Sequence, residues 1–164
     1  MIPLTLLAAQ KFSGILTGGS ALAAAIATLA SDSSEIPSIS NEQVLLSSAT
    51  PDIADRNIQF TYPRICIHSG TVKNTQVEKF RSFSGAVDVE ADIWASADMA
   101  TQTDLWIHYY VEAVTSVLRQ NIGDWGDGIF FGGKYDVKLQ SPKTGGYGFV
   151  QGAAVACTLD ASLK

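Results

Sequence analysis

A chain of 164 residues is long enough for one domain that buries roughly two-thirds of its unfolded surface without metals or disulfides. Hydrophobic residues at 46% and charged residues at 16% exclude a disordered chain, and the interruptions by Gly, Ser and Thr exclude a coiled coil. The net charge of −5 excludes binding of nucleic acid by a general cationic surface, and low charge with high apolar content points to faces buried against other chains.

Residues 15–30 (ILTGGSALAAAIATLA) form an uncharged run that invites comparison with a signal-peptide core or a membrane span. A span needs about 20 unbroken apolar residues, and Thr17, Gly18, Gly19, Ser20 and Thr28 interrupt this run. A secretory leader opens on a basic segment, whereas Lys11 is the only base ahead of the run. The expected element is an Ala-rich helix over 20–31, with Ser20 as its N-cap after the Gly pair. Residues 32–55 are Ser-rich, contain Pro37 and Pro51, and hold one short apolar segment at 44–46. So long a connector reads as an arm that reaches a neighbouring subunit, or the assembly the chain docks on, rather than packing on its own domain. The chain thus divides into a helix and arm (1–55) and a core (56–164) within one domain.

Strand signals begin with Ile58, Phe60 and Tyr62, which alternate with polar residues before Pro63 forces an edge or bend into residues 64–68. Residues 69–76 read as a turn, also reaching outward. Over 87–93 the alternation is strict: Val87, Val89, Ala91 and Ile93 share one face, and Asp88, Glu90 and Asp92 the other. Residues 104–121 read as an amphipathic helix capped by Thr103, with Trp106, Tyr109, Tyr110, Ala113, Val114, Val117 and Leu118 spaced by three or four. Residues 123–128 end it. Two more strands, 129–139 and 147–159, are joined by a Pro-and-Gly turn, and Gln151 is the polar exception on an apolar face. The fold class is α+β: a four-stranded, mostly antiparallel sheet with helices on its dry face and a long N-terminal arm. Candidate core residues are Val87, Val89, Ile93, Trp106, Tyr110, Val114 and Val117, with Val89 and Ile93 facing the helix.

Motifs for chemistry are weak. Residues 128–134 (GIFFGGK) match the opening of a phosphate-binding P-loop, but Tyr135 replaces the Ser or Thr that holds magnesium, and no strand–loop–helix context surrounds them. There is no G-x-S-x-G elbow. His68 reads as a strand-end or turn residue and His108 as a helix-surface or interface residue, because they lack paired ligand spacing. Alternate residues on a strand stand about 7 Å apart, too far for the acidic ladder to wrap calcium, so it reads as a wet sheet face. Asp124 and Asp127 read as turn chemistry. Cys66 and Cys157 read as buried free thiols, although a single bridge is open. No cofactor or metal is called for. Net charge alternates along the chain, −3 over 1–57, +3 over 58–84, −7 over 85–127 and +2 over 128–164. Such blocks favour head-to-tail self-association or interleave and neutralise locally.

Several phrases together resemble the tail-terminator, or tail-completion, proteins of long-tailed bacteriophages. They are Tyr62-Pro63-Arg64-Ile65-Cys66-Ile67, Glu78-Lys79-Phe80-Arg81-Ser82-Phe83-Ser84-Gly85, the strand through Ile93-Trp94-Ala95, the Trp106-Ile107-His108-Tyr109-Tyr110 helix, and Gly145-Gly146-Tyr147-Gly148-Phe149. The similarity spans about residues 56–160 and rests on element order and phrasing. It implies a non-enzymatic subunit, without cofactor, of a homohexameric ring at the head-proximal end of the virion tail, assembled in the host cytoplasm. Its partners are then further copies of itself, the tail tube protein, a neck or head-completion protein, and genomic double-stranded DNA that passes without specific binding, with no membrane. A lumen that lets DNA pass should not be strongly cationic, since each neutralised phosphate adds salt-sensitive affinity. Candidate lumen or interface residues are Asp88, Glu90, Asp92, Arg64, Lys73, Lys79 and Arg81. Another neck or head–tail joining protein, a secreted binding module and an enzyme of unrecognised type are the alternatives.

Overall fold

Alternation in the middle of the chain becomes β3 (Phe83–Ala97), whose inner side chains Val87, Val89, Ala91, Ile93 and Ala95 are at most 1% exposed. The computed structural model describes residues 2–31, 35–48, 61–75, 80–145 and 148–164. Its other elements are α1 (Leu4–Thr17), α2 (Ala21–Leu29), β1 (Val44–Leu46), β2 (Arg64–Lys73), α3 (Ala100–Gln120), β4 (Gly123–Gly126), β5 (Ile129–Leu139), β6 (Lys143–Gly145) and β7 (Gly148–Leu163). The sheet runs β1-β2-β3-β7-β5-β4, with β6 also beside β7. The β1–β2 pair is parallel and the other pairs antiparallel.

The class is α+β, as expected, but the sheet has seven strands rather than four. β1, β4 and β6 supply the difference, and each is only three or four residues long. Segments so short carry no period of their own. The strand expected from Ile58, Phe60 and Tyr62 lies largely outside the described residues. Residues 69–73, expected as a turn, instead continue β2 through a bulge between Ser69 and Val72. Gly85 makes this possible, because a Cβ there would come within 1.9 Å of the Lys73 carbonyl oxygen.

The N-terminal third differs most from expectation. Instead of one helix capped at Ser20, two helices meet at a break where Gly19 (φ +58°) and Ser20 (φ +57°) are both left-handed, and Ser20 makes no capping bond. Helix α1 carries only a weak sequence signature, since Gln10, Lys11, Ser13 and Gly14 fall among its apolar residues and no broad stripe stands out. Its buried side is Ala8, Ala9, Phe12 and Leu16, continued in α2 by Leu22 and Ile26. The Leu4–Leu29 stretch is apolar and long enough to cross a membrane by length and composition, with mean hydropathy 1.6. Here it is kinked, and its buried residues join the core formed with the sheet and α3.

The expected free arm is likewise part of the core along its described middle. Ile36, Ile39 and Val44 are buried, and the Tyr110 hydroxyl donates to the Pro37 carbonyl at 2.8 Å. Asn41 Nδ2 donates to the Thr17 carbonyl at 3.2 Å, and Gln43 Nε2 to the Pro63 carbonyl at 2.8 Å, which ties the segment to α1 and to the entry of β2. Ser content and length concealed two isoleucines placed to bury.

Helix α3 starts at Ala100, earlier than expected, with Met99 rather than Thr103 at the cap position. Thr103 is buried in the first turn, where its hydroxyl donates to the Ala100 carbonyl at 2.8 Å. Ile107, Tyr110, Val114, Val117 and Leu118 form the buried stripe against β3 and β7. Of the candidate core residues, Val87, Val89, Ile93, Tyr110, Val114 and Val117 are at most 2% exposed. Trp106 sits at the margin, partly buried, and Ile107 holds the position expected of it. Trp125, in a segment read as a turn, packs between Phe12 and Phe131 with ring centroids 6.1 and 5.2 Å away. Its indole N–H donates to the Asn121 carbonyl at 2.7 Å, so one aromatic joins α1, β4 and β5. Gln151, buried at 3%, donates to Asp104 Oδ1 and the Gln140 carbonyl, both at 3.0 Å, while its own side-chain oxygen has no partner.

Candidate functional site: the outer sheet face

The face of the sheet opposite the helices carries the charge. Antiparallel pairing sets Asp88, Glu90 and Asp92 of β3 opposite Thr158, Ala156 and Ala154 of β7. Across β7, Asp136 and Lys138 of β5 pair with the same Ala156 and Ala154. Small side chains on β7 therefore form the floor of an open groove whose walls include Lys73, Asp88, Glu90, Lys134, Asp136 and Thr158. At the end of this trough Trp94 lies over Gly152, where a Cβ would come within 2.5 Å of the indole.

The acidic ladder is less uniform than its sequence. Asp88 accepts a hydrogen bond from the Thr158 hydroxyl at 2.6 Å and lies 3.6 Å from Lys73 Nζ. Asp92 is 3.0 Å from His68 Nε2, with their side chains 18% and 26% exposed. Glu90 stands directly opposite His68 in register. Burial raises the Glu90 carboxyl above the ordinary carboxylate range, and Asp92 adds to this by repulsion and as a hydrogen-bond partner, against the pull of His68 and Lys138. The ladder is thus half-buried and internally paired, rather than the fully wet face expected.

The remaining candidates do not form one site. The Arg64 guanidinium donates to Thr61 Oγ1 at 3.1 Å at the start of β2. Arg81 is exposed near Leu163 and Lys164 at the far end of β7. Lys79 lies outside the described residues. The P-loop-like segment is the β4–β5 turn running into β5, with no helix after it. Asp124 accepts from the Gly126 N–H at 2.7 Å, a local turn role, and Asp127 pairs with Lys11 of α1 at 2.6 Å. Cys66 and Cys157 are free and buried. Burial, with a smaller contribution from Asp88, pushes the Cys157 thiol up to about 12, and burial raises Cys66 too, so neither is a ready nucleophile.

What sequence spacing missed is the gathering of His68, Glu90 and Asp92, whose ligand-capable atoms all lie within 4.8 Å of one another. Spacing along one strand keeps donors apart, but pairing of β2 with β3 brings a third donor in from the side. Knowing which strands are neighbours would have revealed it. Neither the protein-family models nor the curated proteins compared with this sequence match it.

Proposed function

We propose that this chain is a non-enzymatic structural subunit that assembles head-to-tail into a ring, as the resemblance to phage tail terminators implies. The observation that supports this reading is a pair of open sheet edges. Among the described residues, β4 covers β5 only along residues 129–131, and β1 covers β2 only along residues 65–67. Each edge leaves backbone donors and acceptors ready to pair with another strand. Apolar side chains stand exposed beside both, Val137 (42%) and Leu139 (47%) on β5 and Val72 (39%) on β2. Two different edges of one sheet that join between copies give a heterologous contact, which closes into a ring when the rotation permits. In this reading six copies cap the tail tube, end its polymerisation and present a surface to the neck of the filled head, and DNA passes without specific binding.

Native mass spectrometry and negative-stain imaging, of the protein alone and with tail tubes, test the proposal. A six-fold ring at the head-proximal end is the expected result. The double variant Val137→Asp/Leu139→Asp should lose the ring while keeping its melting temperature, because both side chains are exposed. Tails whose terminal ring contains none of this chain would sink the proposal.

A further inference from the structure

The carboxylates of the mixed-donor cluster on the outer face sit on the central strand β3, away from the open edges, and only His68 stands on the uncovered stretch of β2. His68 comes from β2, and Glu90 and Asp92 from β3, and their ligand atoms lie within 4.8 Å of one another. His68 Nε2 and Asp92 Oδ2, 3.0 Å apart, are close enough for both to ligate one ion in place of their mutual hydrogen bond. Glu90, opposite His68 in register, offers the third ligand atom. The backbone beneath is held firmly, since the neighbouring Ile67, Ala91 and Ile93 are at most 1% exposed in the core. An imidazole distinguishes this cluster from ordinary acidic surface. Two carboxylates and one neutral imidazole suit first-row divalent ions, whereas calcium and magnesium favour oxygen donors alone.

We propose that His68, Glu90 and Asp92 bind a divalent first-row transition ion of the zinc or manganese class, with water completing its coordination. Bound there, the ion joins β2 to β3 on the face the helices do not cover. It also offsets the repulsion between two half-buried carboxylates.

The test uses the full chain, freed of metal with a chelator that is then removed, and titrated with zinc or cobalt chloride in a calorimeter. One equivalent should bind saturably, cobalt's visible d–d bands should shift and intensify relative to the aqua ion, and the melting temperature should rise with zinc but not with calcium. His68→Asn and Glu90→Gln should each weaken binding at least about tenfold, while His108→Asn binds as the parent does. Circular dichroism of the metal-free variants checks folding, and if one fails to fold the other carries the comparison. Binding without saturation at one equivalent, equal binding of calcium, or binding that survives both cluster variants would overturn the site.

Discussion

The two faces of the β3–β7 ladder share a backbone and a register, yet they meet different surroundings. On the inner face Val87, Val89, Ala91 and Ile93 pair with Leu159, Cys157, Val155 and Ala153 beneath the helices, all at most 4% exposed. One residue along, the outer face pairs carboxylates with Thr158, Ala156 and Ala154. On the inner face, side-chain volume fills space between layers. On the outer face, volume on β7 is withheld, and that lets charges on β3 and β5 face each other across it. A substitution's cost should therefore be decided by parity along the strand more than by its chemical type.

Reversing that parity rule at its most buried point has the largest expected effect. Val89→Asp places an unpaired carboxylate where the side chain is 1% exposed, and the protein should fail to fold, read as loss of the soluble species and of the circular dichroism signal. A folded, cooperative Val89→Asp variant would show that the inner face is not sealed. Next comes the helix layer that seals it. Phe12→Ala removes a fully buried ring that also contacts Trp125, and should cost about 3–5 kcal/mol in denaturant unfolding. Leu6→Ala, on an exposed side of the same helix, should stay within about 0.5 kcal/mol, and equal losses would place α1 off the core.

Smaller effects probe the withheld volume outside. Gly152→Ala sets a methyl against the Trp94 indole and should cost about 1–3 kcal/mol, whereas Gly132→Ala, with nothing within 4 Å of the new carbon, should be neutral. Matching melting temperatures for the two would remove the indole lid from the account. Smallest of all, Asp88→Asn keeps an oxygen for the Thr158 hydroxyl and gives up a solvent-screened contact to Lys73. It should change stability by less than about 1 kcal/mol.

The central strands were legible because they obey one period over many residues. β5 was expected and found at residues 129–139, and the stripe of α3 and the two-faced character of β3 follow directly from spacing. The α1 helix was hidden by its weak apolar periodicity, and the inner portion of the arm by composition, since Ile36 and Ile39 lie among serines and a proline. Short edge strands depend on neighbours for their existence, so no local signal marks them. The gathering of His68 with Glu90 and Asp92 was illegible for the same reason: it belongs to a pairing, not to a segment. In the outer-face ladder, sequence identified the residues but not their mutual shielding.

The pairing of β3 with β7 also governs how the protein reaches its native state. Phe83 meets Leu163 across almost half of the sequence, and β2 and β1 follow on the other side of β3. Until β7 arrives, β3 has an open edge and the helices have only part of a floor, so early intermediates gain little from local contacts. Chains organised around so distant a ladder fold in milliseconds to seconds rather than microseconds. While they do so, the long unpaired edge of β3, with its inner apolar face uncovered, is open to mispairing. A cell making many copies at once would gain from whatever covers that edge during the interval.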